Sequence, residues 1–171
     1  FYGEVVATGS RSHHVPVGSM VAVDPNIACR SCRECRRGRT NLCLNYEALG
    51  ITVDGASAEF VRLPAALAYQ LPDGMPHAAA LLIEPLSCAV HGFDRLPRNI
   101  GDRYLVLGAG TMGLLMSMLA GDSGAERVHV VEPNSDRRRV AESMGIVTAA
   151  HIDDFAPERR WDTVIDCTGV T

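Results

Sequence analysis

Four cysteines, Cys29, Cys32, Cys35 and Cys43, fall in the pattern C-x2-C-x2-C-x7-C. Four thiolates suit a tetrahedral zinc, and two-residue loops let successive sulfurs turn toward one ion. Four protein ligands leave no open coordination position, so such a zinc would be structural. Arg30, Arg33, Arg36, Arg37 and Arg39 crowd the same stretch, where positive charge favours thiolates and offsets the negative charge of a zinc held by four sulfurs. Two other uses of these cysteines stay open. Disulfides fit poorly with a chain of cytosolic character. An iron–sulfur cluster shares the C-x2-C-x2-C opening, but that motif continues with tighter spacing and a proline, whereas Leu44 follows Cys43. Cys88 and Cys167 are expected to be buried, inert thiols.

A second chemistry-bearing stretch is Gly108-x-Gly110-x-x-Gly113, preceded by the apolar run Tyr104–Leu107 and followed by an apolar stretch of helical character. In that setting the first glycine permits a tight turn, the second lets a pyrophosphate reach the backbone, and the third allows helix and strand to pack closely. The helix N-terminus then offers N–H groups to phosphates. Thr111 and Met112 lie inside this turn, and Thr168 follows the last strand; all three join the candidate cofactor-binding residues. Glu132 ends the next strand, where a carboxylate can accept ribose hydroxyls and repel a 2′-phosphate, favouring NAD over NADP. Arg137 could reach the ribose edge or the adenine. The run Arg137–Arg139 keeps NADP open, although Arg138 and Arg139 also fit a solvated helix face. S-adenosylmethionine methyltransferases pair a glycine turn with an acid in the same way, but they leave the four cysteines unexplained.

These residues need elements to hold them. With 171 residues, 47% of them hydrophobic, the chain can bury a core and is not a disordered tail. All sixteen of its cationic residues are arginine and the net charge is −4, which excludes a chain devoted to nucleic acid. The uncharged run Tyr104–Gly121 is interrupted by four glycines and fits strand, turn and buried helix rather than a membrane span. The first residues do not resemble a cleavable leader. Residues 1–97 are irregular and β-rich: Glu4–Ala7 and Ser19–Val23 predict strands, Ala58–Leu63 alternates with period two, and the Cys/Arg lobe spans 25–47. Pro85 suits the first position of a helix running to about Asp94. After a linker-like run at 95–101, residues 98–171 alternate strand (104–107, 128–131, 146–149, 163–166) with helix (114–120, 135–144), the rhythm of parallel βαβ units. Phe1–Val6 reads as a strand already under way and the chain ends just past another, so an internal stretch of a longer protein is expected.

The two motifs in this order resemble the zinc-dependent medium-chain dehydrogenases, and within them the sorbitol, threonine and glucose dehydrogenase branch. Gly3–Val6, Gly18–Val23, Asp54–Phe60 and Glu84–His91 support the likeness. The resemblance implies an α/β protein, a GroES-like catalytic domain (residues 1–97, partial) followed by a doubly wound Rossmann domain (98–171, partial). It implies a catalytic zinc, with Glu84 as ligand or as partner through water, that activates an alcohol for hydride transfer to NAD(P). The family's other two catalytic ligands would lie upstream of Phe1, and His13, His14, His77, His91, His129 and His151 match no ligand position. The implied parent is an NAD(P)-dependent alcohol or polyol dehydrogenase acting on a secondary alcohol, polyol or hydroxy amino acid. It would be a cytoplasmic homo-oligomer that uses neither membrane nor nucleic acid, and these residues alone would be inactive. The alternative is a non-catalytic, dehydrogenase-derived module that keeps structural zinc and nucleotide binding.

Overall fold

The computed structural model describes residues 1–10, 15–155 and 160–169. His13 and His14 lie outside them. The chain forms two compact units, Phe1–Glu84 and Pro85–Thr171.

The first unit is built around β2 (Met20–Val23), paired antiparallel with β1 (Tyr2–Glu4) on one edge and with β5 (Ala68–Gln70) on the other. β2 is apolar at every position because both its faces are covered. Val21 and Val23 pack with Val15, Val5, Leu49 and Leu63, while Ala22 and Met20 face Leu71, Ala80 and Met75. A two-rung antiparallel ladder, β3 (Asn26–Ile27) against β4 (Glu47–Ala48), closes the base of the cysteine lobe. Between its strands lie the single helical turn α1 (Arg33–Arg36) and a 3-10 turn at Thr40–Leu42. The helix α2 (His77–Leu81) ends the unit. Two expectations change. The first strand lies at Tyr2–Glu4 rather than 4–7. Ala58–Leu63 forms no strand: alternation marks two faces but supplies no partner edge, and both edges of β2 are taken.

The second unit holds most of α3 (Ile83–Phe93) and a four-stranded parallel sheet in the order β8 (Val147–Ala149), β7 (Arg127–Val131), β6 (Arg103–Leu107), β9 (Thr163–Asp166). α4 (Thr111–Asp122) follows β6 and α5 (Ser135–Ser143) follows β7. Tyr104 and Val106 share a face of β6. Tyr104 meets Phe93 and Ala120, and Val106 meets Ala109, Val130 and Ala141. On the other face the ring of His129 stacks on Phe155 at 4.2 Å, and Trp161 Nε1 donates to His129 Nδ1 at 3.3 Å. Pro85 is the third helical residue of α3 rather than the first. The position still tolerates it, because the first four N–H groups of a helix have no intrahelical acceptor. Among the described residues no helix is long and apolar enough to cross a membrane.

Candidate functional site

The four cysteines converge. The ladder at 26–27 and 47–48 fixes both ends of the lobe, and the Sγ atoms of Cys29, Cys32, Cys35 and Cys43 all lie within 4.8 Å of one another. One zinc at about 2.3 Å from each sulfur sets tetrahedral edges of about 3.8 Å, so the thiols need draw in by no more than about 1 Å. An iron–sulfur cube spreads its cysteines over different irons and holds them farther apart. Among the described residues no two cysteines are joined in a disulfide. Arg30 is the one non-glycine among the described residues with positive φ, +59°. That twist turns the following backbone back onto the first sulfur: Cys32 N–H donates to Cys29 Sγ at 3.4 Å, and Cys29 N–H donates to Cys43 Sγ at 3.3 Å. Donation from the Ser31 backbone and hydroxyl, and then from Cys32 N–H, lowers the Cys29 thiol to about 5. Desolvation, reinforced by the neighbouring thiols, pushes Cys35 up to about 12. The lobe therefore presents a ready thiolate beside thiols that a metal must deprotonate.

The arginines act differently from the sequence expectation. Glu34 is buried at the centre of the lobe, and Arg33, Arg37 and Arg39 reach it at 2.8, 3.6 and 3.9 Å. Three of the five arginines thus neutralise a carboxylate. Stabilisation of the Cys29 thiolate comes from N–H and hydroxyl donors. Sequence reasoning missed Glu34; the available signal was one acid inside an otherwise cationic run.

In the second unit the chain leaves β6 toward β7 and β8 and returns to β9 on β6's other side. The carboxyl ends of β6 and β9 therefore flank the point where strand order reverses, the usual crevice for a dinucleotide in such sheets. Gly108 has φ +96°, and a Cβ there would lie 3.1 Å from Cys167 O. A Cβ on Gly113 would lie 1.9 Å from Gly108 O, so only hydrogen fits between turn and helix. A Cβ on Gly110 would meet nothing within 4 Å, and Gly110 caps α4 with no side-chain partner. Room for a ligand and an uncapped helix N-terminus thus coincide at the glycine assigned to the pyrophosphate. Thr111 and Met112 open α4.

Glu132 is buried at the end of β7. Its Oε2 accepts Ala109 N–H at 2.9 Å, its Oε1 accepts Asn134 N–H at 2.8 Å, and Arg137 stands 3.9 Å away. Burial pushes this carboxyl up, but the two N–H donors with Arg137 and Arg138 outweigh it and hold it below the ordinary carboxylate range. The acid predicted to meet a ribose is therefore also a strut that fixes the glycine turn to β7. Arg138 is not a solvated residue: its Nη1 donates to Glu132 O and Pro133 O at 2.8 and 2.7 Å. Arg139 pairs with Asp136. Thr168 lies across the crevice on the turn after β9, bonded to Asp166.

Glu84 is exposed in the first turn of α3. The four cysteines are the one potential metal-ligand group among the described residues, and Glu84 is not part of it. Cys88 is exposed, which corrects the expectation of a buried thiol; Cys167 is half-buried, and desolvation raises its thiol. His91 and His77 are exposed, and His77 Nδ1 lies 3.0 Å from Tyr2 OH.

Residues 1–73 match the alcohol dehydrogenase GroES-like domain. The chain is 36% identical over 155 residues to L-threonine 3-dehydrogenase of Edwardsiella ictaluri, an alignment covering 89% of this chain and 44% of that protein. It is similar to a zinc-binding dehydrogenase of Sinorhizobium meliloti crystallised with NADP, with TM-score 0.88 and 34% identity over 99% of this chain and 53% of that one. Galactitol-1-phosphate dehydrogenase of Escherichia coli superposes with TM-score 0.76 and 30% identity over 86% of this chain and 43% of that one. The chain thus spans about half the length of the curated relatives it matches.

Proposed function

This chain belongs to the zinc-dependent medium-chain dehydrogenase superfamily, and from that premise we propose that the protein it forms is an NAD(P)-dependent alcohol or polyol dehydrogenase. The reaction is hydride transfer between a secondary alcohol, polyol or hydroxy amino acid and the nicotinamide. The observation that carries this reading is the pairing, within one chain, of a closed four-thiol lobe and a glycine turn at a topological switch point. The lobe suits structural zinc. Gly108, Gly110, Thr111, Met112 and Gly113 form the pyrophosphate turn. Glu132 serves the adenine ribose and Arg137 its rim, while Thr168 faces the turn from β9. The Glu132 carboxylate favours NAD; the S. meliloti relative was crystallised with NADP, and Arg137 leaves that cofactor accessible.

Glu84 is the proposed contribution of this chain to a catalytic zinc, directly or through water. When bound, such a zinc polarises the alcohol oxygen as a Lewis acid. The relatives' names include an amino acid and a phosphorylated polyol as substrates, so L-threonine and phosphorylated or free polyols head the substrate panel. A cytoplasmic setting and a homo-oligomeric assembly are what the family implies.

The test is NAD+ reduction across that panel by the zinc-loaded whole protein that carries these residues, with metal content measured in parallel. Turnover that collapses in Glu84→Ala while about one zinc per chain remains bound supports the reading. Full structural zinc and NADH binding with no turnover on any alcohol or polyol would instead favour a non-catalytic module.

A further inference from the structure

We propose that Asp166 is a positioning residue of the nucleotide crevice. It fixes the Thr168 hydroxyl as a hydrogen-bond acceptor, so the end of β9 receives a donor group from the nicotinamide nucleoside half of the cofactor. The inference rests on the dinucleotide reading above.

Asp166 closes β9, and its Oδ1 accepts both Thr168 N–H, at 2.9 Å, and the Thr168 hydroxyl, at 2.7 Å. Those two bonds hold the Asp166 carboxyl below its ordinary value. The turn continues through Gly169 at φ +66° and is pinned from the other side by Cys167 N–H donating to Leu107 O at 2.8 Å. It abuts the glycine turn: a Cβ on Gly108 would stand 3.1 Å from Cys167 O and 3.5 Å from Thr168 Cα. The side-chain geometry of Thr168 is therefore set by Asp166 on a wall of the crevice itself.

A hydroxyl carries one proton. Once that proton is given to Asp166, Thr168 Oγ1 can meet a ligand only by accepting. Phosphate oxygens are acceptors too and gain nothing there, and the adjacent carboxylate repels them. Groups that match are the hydroxyls of a ribose and the N–H groups of a carboxamide. Strand order selects between the two ends of the cofactor. Glu132 stands on β7, the glycine turn on β6, and Thr168 on β9, in the spatial order β7-β6-β9. If the adenine ribose meets Glu132 and the pyrophosphate meets Gly110, the nucleoside left for β9 is the nicotinamide one.

The experiment titrates the full chain with NADH, ADP-ribose and ADP, for wild type, Asp166→Ala, Asp166→Asn and Thr168→Val, with thermal midpoints recorded for each. One oriented hydrogen bond predicts that Asp166→Ala and Thr168→Val weaken NADH about tenfold and leave ADP within about twofold. Asp166→Asn keeps an oxygen that accepts from both Thr168 groups, so its NADH affinity stays within about threefold of wild type. ADP-ribose weakened alongside NADH assigns the donor to the ribose, whereas ADP-ribose behaving like ADP assigns it to the carboxamide; both support the clamp. NADH binding unchanged in Asp166→Ala, NADH and ADP weakened equally, or Asp166→Asn as weak as Asp166→Ala would each overturn it. Wild type that binds no NADH overturns the dinucleotide reading and the clamp together, a result distinct from a variant that binds normally.

Discussion

Adding one methyl group at Gly113 and at Gly110 should have opposite consequences. At Gly113 the new Cβ would lie 1.9 Å from Gly108 O and 2.9 Å from Gly108 C, where ordinary contact begins at 3.4 Å. Turn and helix must therefore separate by about 1.5 Å, and both are backbone, so no side chain can swing away. Overpacking of this kind costs about 1–3 kcal/mol or more, which in a chain of this size lowers the unfolding midpoint by at least about 2 °C. At Gly110 the added Cβ meets nothing within 4 Å, and φ is −74°, open to any residue. Gly110→Ala should cost less than about 1 kcal/mol, the loss of a tolerable N-cap residue. The same methyl occupies the approach to the α4 N–H groups. Losing one charge-assisted bond to a phosphate, about 1.5–3 kcal/mol, weakens NADH roughly 10- to 150-fold. Thermal unfolding and NADH fluorescence titration read the two effects separately. Gly110→Ala binding NADH within twofold of wild type, or Gly113→Ala melting with wild type, would refute the division between a glycine kept for packing and one kept for the ligand.

Purified under reducing conditions, the chain should carry about one zinc; Cys43→Ser should lower that sharply in elemental analysis, and unchanged metal would contradict the four-thiol lobe. Chelation should lower the unfolding midpoint of wild type but leave Cys43→Ser unmoved. Glu132→Ala strands the N–H groups of Ala109 and Asn134 and should cost about 1–3 kcal/mol for each group left without water. Because the folded carboxyl lies below its unfolded value, the ionised Glu132 stabilises the fold above about pH 4.5 and loses that contribution as pH falls through the folded value. The gap in stability between wild type and Glu132→Gln should accordingly narrow in acid denaturation; a gap that widens would contradict the sign. Arg30→Gly relieves a left-handed φ of +59° and should leave stability unchanged or raise it by up to about 1 kcal/mol in chemical unfolding.

The parallel sheet was legible because its signals are local. Strands β6 to β9 are mostly apolar or β-branched, and the turns into α4 and α5 carry their own glycine or cap, as Asn134 does for α5 by accepting from Asp136 and Arg137 N–H at 2.9 and 3.1 Å. Cysteine spacing was equally local. Pairing in the first unit was less legible, since β1, β2 and β5 come from distant stretches and the alternation at 58–63 says nothing about which edge is open. The linker-like run at 95–101 suggests a boundary there, yet Phe93 packs its ring 5.9 Å from that of Tyr104, and contacts of that kind join α3 to the second unit. Glu34 and the strut role of Glu132 were hidden for one shared reason. An acid in a cationic run or at a strand end reads as surface or ligand until the N–H and guanidinium groups around it are located. A lone cysteine on a helix, as Cys88 is, carries no sign in the sequence of which way it faces.

The dinucleotide site is read most directly by titrating NADH, NADPH and S-adenosylmethionine into the zinc-loaded chain while following Trp161, its one tryptophan. Expected are saturable quenching by NADH, weaker binding of NADPH because of the Glu132 carboxylate, no response to S-adenosylmethionine, and loss of the NADH signal in Gly110→Ala. Saturable binding of S-adenosylmethionine, or no saturable response to either dinucleotide, would contradict it.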